Sequence, residues 1–299
     1  MMKILVKHES DDLIPLSHHL KLEGNELVTD EQSPELIISE SNSGIHDKRF
    51  VYSNIKFPHL ILKALGLDIL SSKTSYFFTK WYDYEKGWSP QLFLGIPVHG
   101  LMDGGLGAPE VTACCGRYVE GYNTPTIFQE DVLKGFLNDL NCKSFVSVEY
   151  SHDHEIVSIR TGVPFNGLYN LLEGVKGSIG EFLLDPFQNR LIESWTTNLL
   201  VTRHPFPAVR SADKITIHHV TPEVEKHVWF FDVVRFRRAI STTDTKVACV
   251  TAWGVDLFES NKRALRTAFG LNIPYKQFRL DAFRSAGEVY DRLAGLGVV

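Results

Sequence analysis

A glutamate and an arginine on facing strands are the residues best suited to chemistry, and both lie between Lys143 and Gly177. Ser144 to Tyr150 alternates in polarity and is rich in β-branched and aromatic residues, so it reads as a strand ending near Glu149. Ser151-His152-Asp153-His154 is a polar turn, and Glu155 to Arg160 runs back as a second strand. Gly162-Val163-Pro164 then breaks the chain before an apolar helix, expected from about Gly167 to Leu184. Such a hairpin would set the Glu149 carboxylate and the Arg160 guanidinium beside a glycine-proline loop. A carboxylate holds a hard cation through oxygen, and a guanidinium grips phosphate or carboxylate oxygens in pairs. The same residues equally suit an ordinary core hairpin stapled by an ion pair.

Two further places offer chemistry. Met102 to Glu110 is glycine-rich, and the backbone amides around Asp103, Gly104, Gly105 and Gly107 can hold an anion or simply make a tight connector. Arg117 follows Cys114-Cys115-Gly116 and suits either a substrate carboxylate or phosphate or a surface ion pair. Of the 12 histidines, His152 and His154 would share one side of an extended strand, as a metal pair would, yet a solvated turn explains them as well. No metalloprotease HExxH, nucleophile elbow, Walker loop or CxxC occurs. Cys114 and Cys115 read as buried small apolar residues rather than ligands.

The elements that would position these residues follow from periodicity. Lys3 to Lys7 is a strand. Asp11 or Asp12 can cap a helix to Glu23, with Leu13, Leu16 and Leu20 on one face and Gly24 as its stop. Glu26 to Thr29 and Glu35 to Ser39 are strands, giving a parallel βαβ unit whose first turn lacks the glycines of a dinucleotide loop. Phe57 to Leu65 is a short helix. Thr74 to Trp81, a hairpin turn at Glu85-Lys86-Gly87, and Gln91 to Val98 continue as strands, and Phe128 to Asn141 is an amphipathic helix. Beyond Trp195 the candidates are strands at Trp195 to Arg203, Ile215 to Val220, Val228 to Arg235 and Lys246 to Trp253, then a helix from Asp256 to Phe269. The expected class is α/β (α+β), divided as 1–72, 73–190 and 191–299, with a mixed or antiparallel central sheet.

Composition narrows the function classes. The 299 residues carry a net charge of −5, which argues against general nucleic-acid binding. No apolar run reaches membrane-spanning length, and Met1 to His8 is too short for a signal peptide. Four cysteines without metal spacing point to a reduced, cytoplasmic protein.

The hairpin resembles the last metal-and-phosphate segment of the ATP-grasp ligases, and most of all the phosphoribosylamine–glycine ligase-like branch. In that family a strand ending in Glu precedes a strand bearing Glu-x-Asn or Glu-x-Thr and then Arg-x-Gly-x-Pro. Phe145-Val146-Ser147-Val148-Glu149 matches the first and Arg160-Thr161-Gly162-Val163-Pro164 the end of the second. Counted back from Arg160, the family's second Glu falls on Ile156 and its Asn or Thr on Ser158, while Glu155 is one residue off, on the other face of an alternating strand. Met102 to Glu110 resembles the family's loop facing the substrate. Val201 to Pro207, Val250 to Gly254 and Phe278 to Asp281 resemble its small C-terminal α/β domain.

The resemblance implies a βαβ unit, an ATP-grasp-like core and a C-terminal domain. It also implies roles: Glu149 and Arg160 catalytic; Glu149, Glu155 and Ser158 around a metal; Asp103, Gly104, Gly105, Gly107, Arg117 and Gly162 at the substrate. In the family a long insert before the strand at Thr74 supplies the lysines, glycine-rich loop and hinge that clamp ATP. Here only a short stretch separates Gly66 from Trp81. The expectation is therefore a shortened scaffold that binds or assembles without ATP-dependent ligation, its partner a protein, a second copy or a small molecule. The alternative is a minimal carboxylate–amine ligase that uses ATP and Mg²⁺ through an acyl phosphate.

Overall fold

The computed structural model describes residues 1–7, 13–29, 34–39, 74–99, 111–119, 128, 130–139, 143–188, 191–206, 211–218, 220–231, 233–236 and 239–299. At its start, β1 (Lys3–Lys7), α1 (Ile14–Leu22), β2 (Glu26–Leu27) and β3 (Leu36–Ser39) form the expected parallel unit, with strand order β2-β1-β3. The aspartates expected to cap α1 lie outside the described residues. The N-cap is Leu13, without a side-chain cap, and Pro15 stands in the first turn. Proline's fixed φ favours helix entry there. Gly24, at φ +84°, stops the helix as its spacing implied.

The second body of strands is β4 (Tyr76–Asp83), β5 (Gly87–Trp88), β6 (Leu92–His99), β7 (Val111–Val119), α2 (Glu130–Asp139), β8 (Lys143–Tyr150) and β9 (Ile156–Thr161). Two short helices follow, α3 (Gly167–Glu173) and α4 (Ile179–Leu184). Then come β10 (Trp195–Arg203), β11 (Ser211–Ile217), α5 (Pro222–Glu225), β12 (Val228–Phe230), β13 (Val234–Phe236), β14 (Ala239–Asp244), β15 (Lys246–Gly254), α6 (Leu257–Gly270), β16 (Lys276–Gln277) and α7 (Ala282–Gly295). Ten strands join in one antiparallel sheet, ordered β12-β15-β10-β7-β6-β4-β8-β9, with β16 beside β10 and β5 beside β4. β11, β14 and β13 make a separate small antiparallel sheet.

Both faces of the large sheet are covered, which is why β4 and β10 are buried along their whole length. On one face Phe77, Phe93, Phe145, Leu200 and Cys249 pack against α1, β1, β3, α3 and α4. On the other, Phe78, Leu94, Val148 and Val250 pack under α2, α6 and α7. Alternation along each strand sends neighbours into opposite layers.

Three expectations change. The helix drawn from Gly167 to Leu184 is two helices: Gly174 closes the first, Val175 bridges Leu191, and Gly177 at φ +92° turns the chain. Ser178 then caps the second through the Glu181 amide. Apolar periodicity runs through both pieces, so it conceals the two glycine breaks. The strand expected from Val228 to Arg235 is split, β12 joining the large sheet and β13 the small one, and the strand expected at Ile215 to Val220 is β11, shifted towards the N-terminus. β14 and α7 were not anticipated. The helix expected at Phe57 to Leu65 lies outside the described residues.

Candidate functional site

Register places the hairpin chemistry. β4 runs between β6 and β8, so Phe77 faces Gly95 on one side and Glu149 on the other. A Cβ on Gly95 would come within 2.0 Å of the Phe77 Cζ, and one on Gly167 within 2.7 Å. The phenyl ring therefore needs both glycines, and it seats the start of α3 against the sheet beside Glu149.

Glu149 is only 2% exposed, and both its oxygens are engaged. The Arg160 Nε donates to Oε1 at 2.6 Å, and the Thr74 hydroxyl donates to Oε2 at 2.8 Å. Ser158 stands directly opposite Glu149 across the strand pair. The Thr74 carbonyl accepts from the His99 Nε2 at 3.0 Å, and the His99 carbonyl accepts from the Arg279 Nη1 at 2.9 Å. The pair is thus tied to the C-terminal segment. Beneath it the Ser147 hydroxyl donates to the Gly162 carbonyl at 2.7 Å, and Gly162 itself sits at φ +92°. Phe165 and Asn166 both take left-handed conformations at φ +58°, uncommon for residues with a Cβ. The Asn198 amide donates to the Asn166 carbonyl at 2.9 Å and holds that turn.

The strand pairing carries a bulge that single-sequence counting misses. Glu149 faces Ser158, yet the next residue, Tyr150, faces Ile156, leaving Val157 as an extra residue. Ile156, on the position where the family's second Glu is expected, therefore packs into the opposite layer. The bulge also shifts Glu155 by one place, so that it faces Ser151, whose amide donates to the Glu155 carbonyl at 2.8 Å. By register Glu155 returns to the side of Glu149, where alternation alone had put it on the other, and it is exposed.

The structure thus brings Glu149, Arg160 and Ser158 together on adjacent strands above Gly162, while Glu155 is exposed where the hairpin turns. Arg117 lies in the opposite layer, where register lines it up with Leu94, Phe78 and Val148. Its guanidinium sits 5.5 Å from the Trp195 ring and 5.8 Å from the Tyr290 ring, and Nη1 donates to the Tyr290 hydroxyl at 3.2 Å. Asp103, Gly104, Gly105 and Gly107 lie outside the described residues. His154 accepts or donates at Nδ1 with the Tyr76 hydroxyl, 2.8 Å away, while His152 contacts Arg292, so the two imidazoles turn to different partners. Burial pushes the Cys115 thiol up to about 12 and that of Cys114 well above its ordinary value. Both are therefore protonated at neutral pH, poor ligands and poor nucleophiles. Thr74 and His99 were missed by sequence reasoning; the pairing of distant strands brings Thr74 to Glu149 and His99 to Thr74, and no local motif signals it.

A Mg²⁺ ion would need open carboxylate oxygens in near-octahedral array. Here a guanidinium and a hydroxyl already satisfy Glu149, Ile156 contributes no oxygen, and among the described residues no three His, Cys, Asp or Glu groups converge. The donor set as arranged does not fit the metal.

No family model matches the sequence, and no curated protein matches it. Solved structures do match in fold. A phosphoribosylamine–glycine ligase from Thermotoga maritima aligns with a TM-score of 0.60 at 9% identity, covering 94% of this chain and 100% of that one. A urea carboxylase from Kluyveromyces lactis aligns at 0.57 and 6% identity, over 98% of this chain and 32% of that one. A pyruvate carboxylase from Rhizobium etli aligns at 0.50 and 10% identity, over 98% and 40%. The chain has an ATP-grasp-like fold of mixed α/β class with antiparallel sheets. Within that class the arrangement is similar to the glycine ligase along that enzyme's whole length. Among the described residues no helix is long and apolar enough to cross a membrane.

Proposed function

We propose that this protein is a binding or assembly module on an ATP-grasp-like scaffold, without conventional ATP-dependent ligation. The supporting observation is the closed Glu149–Arg160 pair. The carboxylate that would meet a cation is buried, and its two oxygens are taken by Arg160 and Thr74. Opening it for a metal would break a charge-assisted hydrogen bond to a carboxylate only 2% exposed, a cost of about 1.5–3 kcal/mol for bonds to charged groups. The short Gly66–Trp81 stretch supports the same reading, since little chain remains there for a triphosphate clamp. Isothermal calorimetry with ATP, with and without Mg²⁺, tests it. No metal-dependent heat is expected; micromolar, Mg²⁺-dependent binding would overturn it.

The bulge favours one alternative, a minimal carboxylate–amine ligase using Glu149, Glu155 and Arg160. The Ser151–Glu155 backbone pairing supports it, because by register Glu155 falls on the side of Glu149, where plain alternation had put it on the other. ADP release across a panel of carboxylates and amines, lost in both Glu149→Gln and Glu155→Gln, would establish that reading. Release unchanged in either variant would remove it.

A further inference from the structure

A cleft of about 460 Å³ opens on the same face of the large sheet at its other end, between α1, the α3–α4 junction, α5 and β15. β15 and β8 are five strand steps apart, roughly 24 Å at about 4.8 Å per step. The cleft is therefore separate from the Glu149 hairpin. Its volume falls in the range of small-molecule sites.

One imidazole in it is held by a built network. The Trp229 Nε1 donates to the Thr251 hydroxyl at 3.0 Å, and that hydroxyl donates to the Glu173 Oε2 at 2.6 Å. The Glu173 Oε1 lies 2.7 Å from the His227 Nδ1. Trp229 is itself clamped, stacked 3.7 Å from the His19 ring and 4.9 Å from the Tyr169 ring. Glu173 accepts from the Nδ1–H and so orients the His227 ring; in the imidazolium form that this hydrogen bond favours, Nε2 carries a second N–H that faces away from Glu173. The His227 side chain is 41% exposed while Glu173 is 5%, so the imidazole forms the outer end of the network.

The charges around the cleft select the ligand. Three acids line it, but each is already used. Glu23 accepts from the amides of Ile179 and Gly180 and from the Ser178 hydroxyl. Glu173 serves Thr251 and His227, and Glu225 is paired with His18 and Arg235. What remains among the described lining groups is the His227 Nε2 and the Lys226 ammonium. The hydrogen bond to Glu173 holds the His227 proton affinity above its ordinary value; burial, Lys226 and Arg263 pull it down, and His19, buried and neutral, lies nearby. Beside these groups the walls are apolar: Leu172, Val175, Ile179, Ile192 and the half-exposed Trp253.

We propose that this cleft binds a small amphipathic organic anion, a carboxylate or phosphate on an apolar or aromatic body, with its anion on His227 and Lys226 and its body against Trp253 and the aliphatic wall. This site stands independently of the ligase or scaffold reading of the hairpin.

The test is an NMR titration of the His227 ring, together with tryptophan fluorescence, using phenyl phosphate, benzoate and inorganic phosphate as probes. Phenyl phosphate or benzoate is expected to shift the His227 resonances and perturb the indole emission; comparing the two identifies which anion the cleft takes. Inorganic phosphate, lacking an apolar body, should bind about tenfold more weakly or less. His227→Gln, at a half-exposed position, should keep the fold and lose about tenfold in affinity. Trp253→Ala should weaken the aromatic probes but not inorganic phosphate. Glu149→Gln should change nothing at this cleft, which separates its fate from that of the hairpin. The proposal is overturned if neither aromatic anion moves the His227 signals, if His227→Gln binds them as well as the native chain, or if inorganic phosphate binds equally well.

Discussion

Replacing Arg160 with Met tests the central geometric claim. The guanidinium Nε and the Glu149 Oε1 are 2.6 Å apart, with side chains 11% and 2% exposed. Removing the cation leaves a carboxylate sealed from water, with the Thr74 hydroxyl as its one remaining side-chain partner among the described residues. Uncompensated buried charges of this kind cost about 3–5 kcal/mol. The reverse change, Glu149→Leu, should cost less, about 1–3 kcal/mol, because the more exposed arginine can turn to water. The double variant removes both charges and should return to within roughly 1–2 kcal/mol of the native chain, since apolar replacement of a buried pair is often neutral. Equilibrium urea unfolding of all four proteins gives the coupling directly. If the two single changes simply add, to within about 0.5 kcal/mol, the residues do not form a unit and the closed-pair reasoning fails. A carboxylate reserved for a metal predicts something else: the double variant would lose ADP release while gaining nothing in stability.

Two further outcomes are specific. Gly95→Ala would drive a Cβ to within 2.0 Å of Phe77, a clash inside a packed layer, and should cost about 1–3 kcal/mol by the same urea assay; a neutral result would mean that ring is not where the fold puts it. Stability should also depend on pH through the buried histidines. His19 and His18 are pushed down to about 3 and about 4, chiefly by burial, so below pH ~6.5 the unfolded chain binds protons that the folded one refuses, and stability falls as pH drops from there toward 3–4. At about 1.4 kcal/mol per tenfold in proton affinity, His19 alone makes this an effect of several kcal/mol. His227 acts oppositely: its raised value adds stability that is complete below pH ~6.5 and is lost as pH rises through the folded value. Unfolding midpoints measured from pH 4 to 9 should show the acid loss reduced in His19→Gln, His18 keeping its share, and the alkaline loss vanish in His227→Gln; an unchanged profile in either variant would contradict the assignment.

What the sequence determined by itself was mostly local. The alternation of Ser144 to Tyr150, the glycine stop at Gly24 and the Asp256 cap of α6 are written in neighbouring residues, and each recurs in the fold. The hairpin itself was equally legible, since Glu149, Arg160 and Gly162 lie within 14 positions of one another. Tertiary structure decided the rest, because it depends on pairing between distant strands. Only the pairing of distant strands brings Thr74 to Glu149 and His99 to Thr74, sends Arg117 to the opposite layer, and inserts the bulge that turns Ile156 into that layer too. The His227 network needs α3, the turn between α5 and β12, and β15 in contact, from positions 173, 227 and 251. A side chain's type is a local property, but its face and its partners are set by long-range hydrogen-bonded pairing, in which a one-residue slip reverses every assignment.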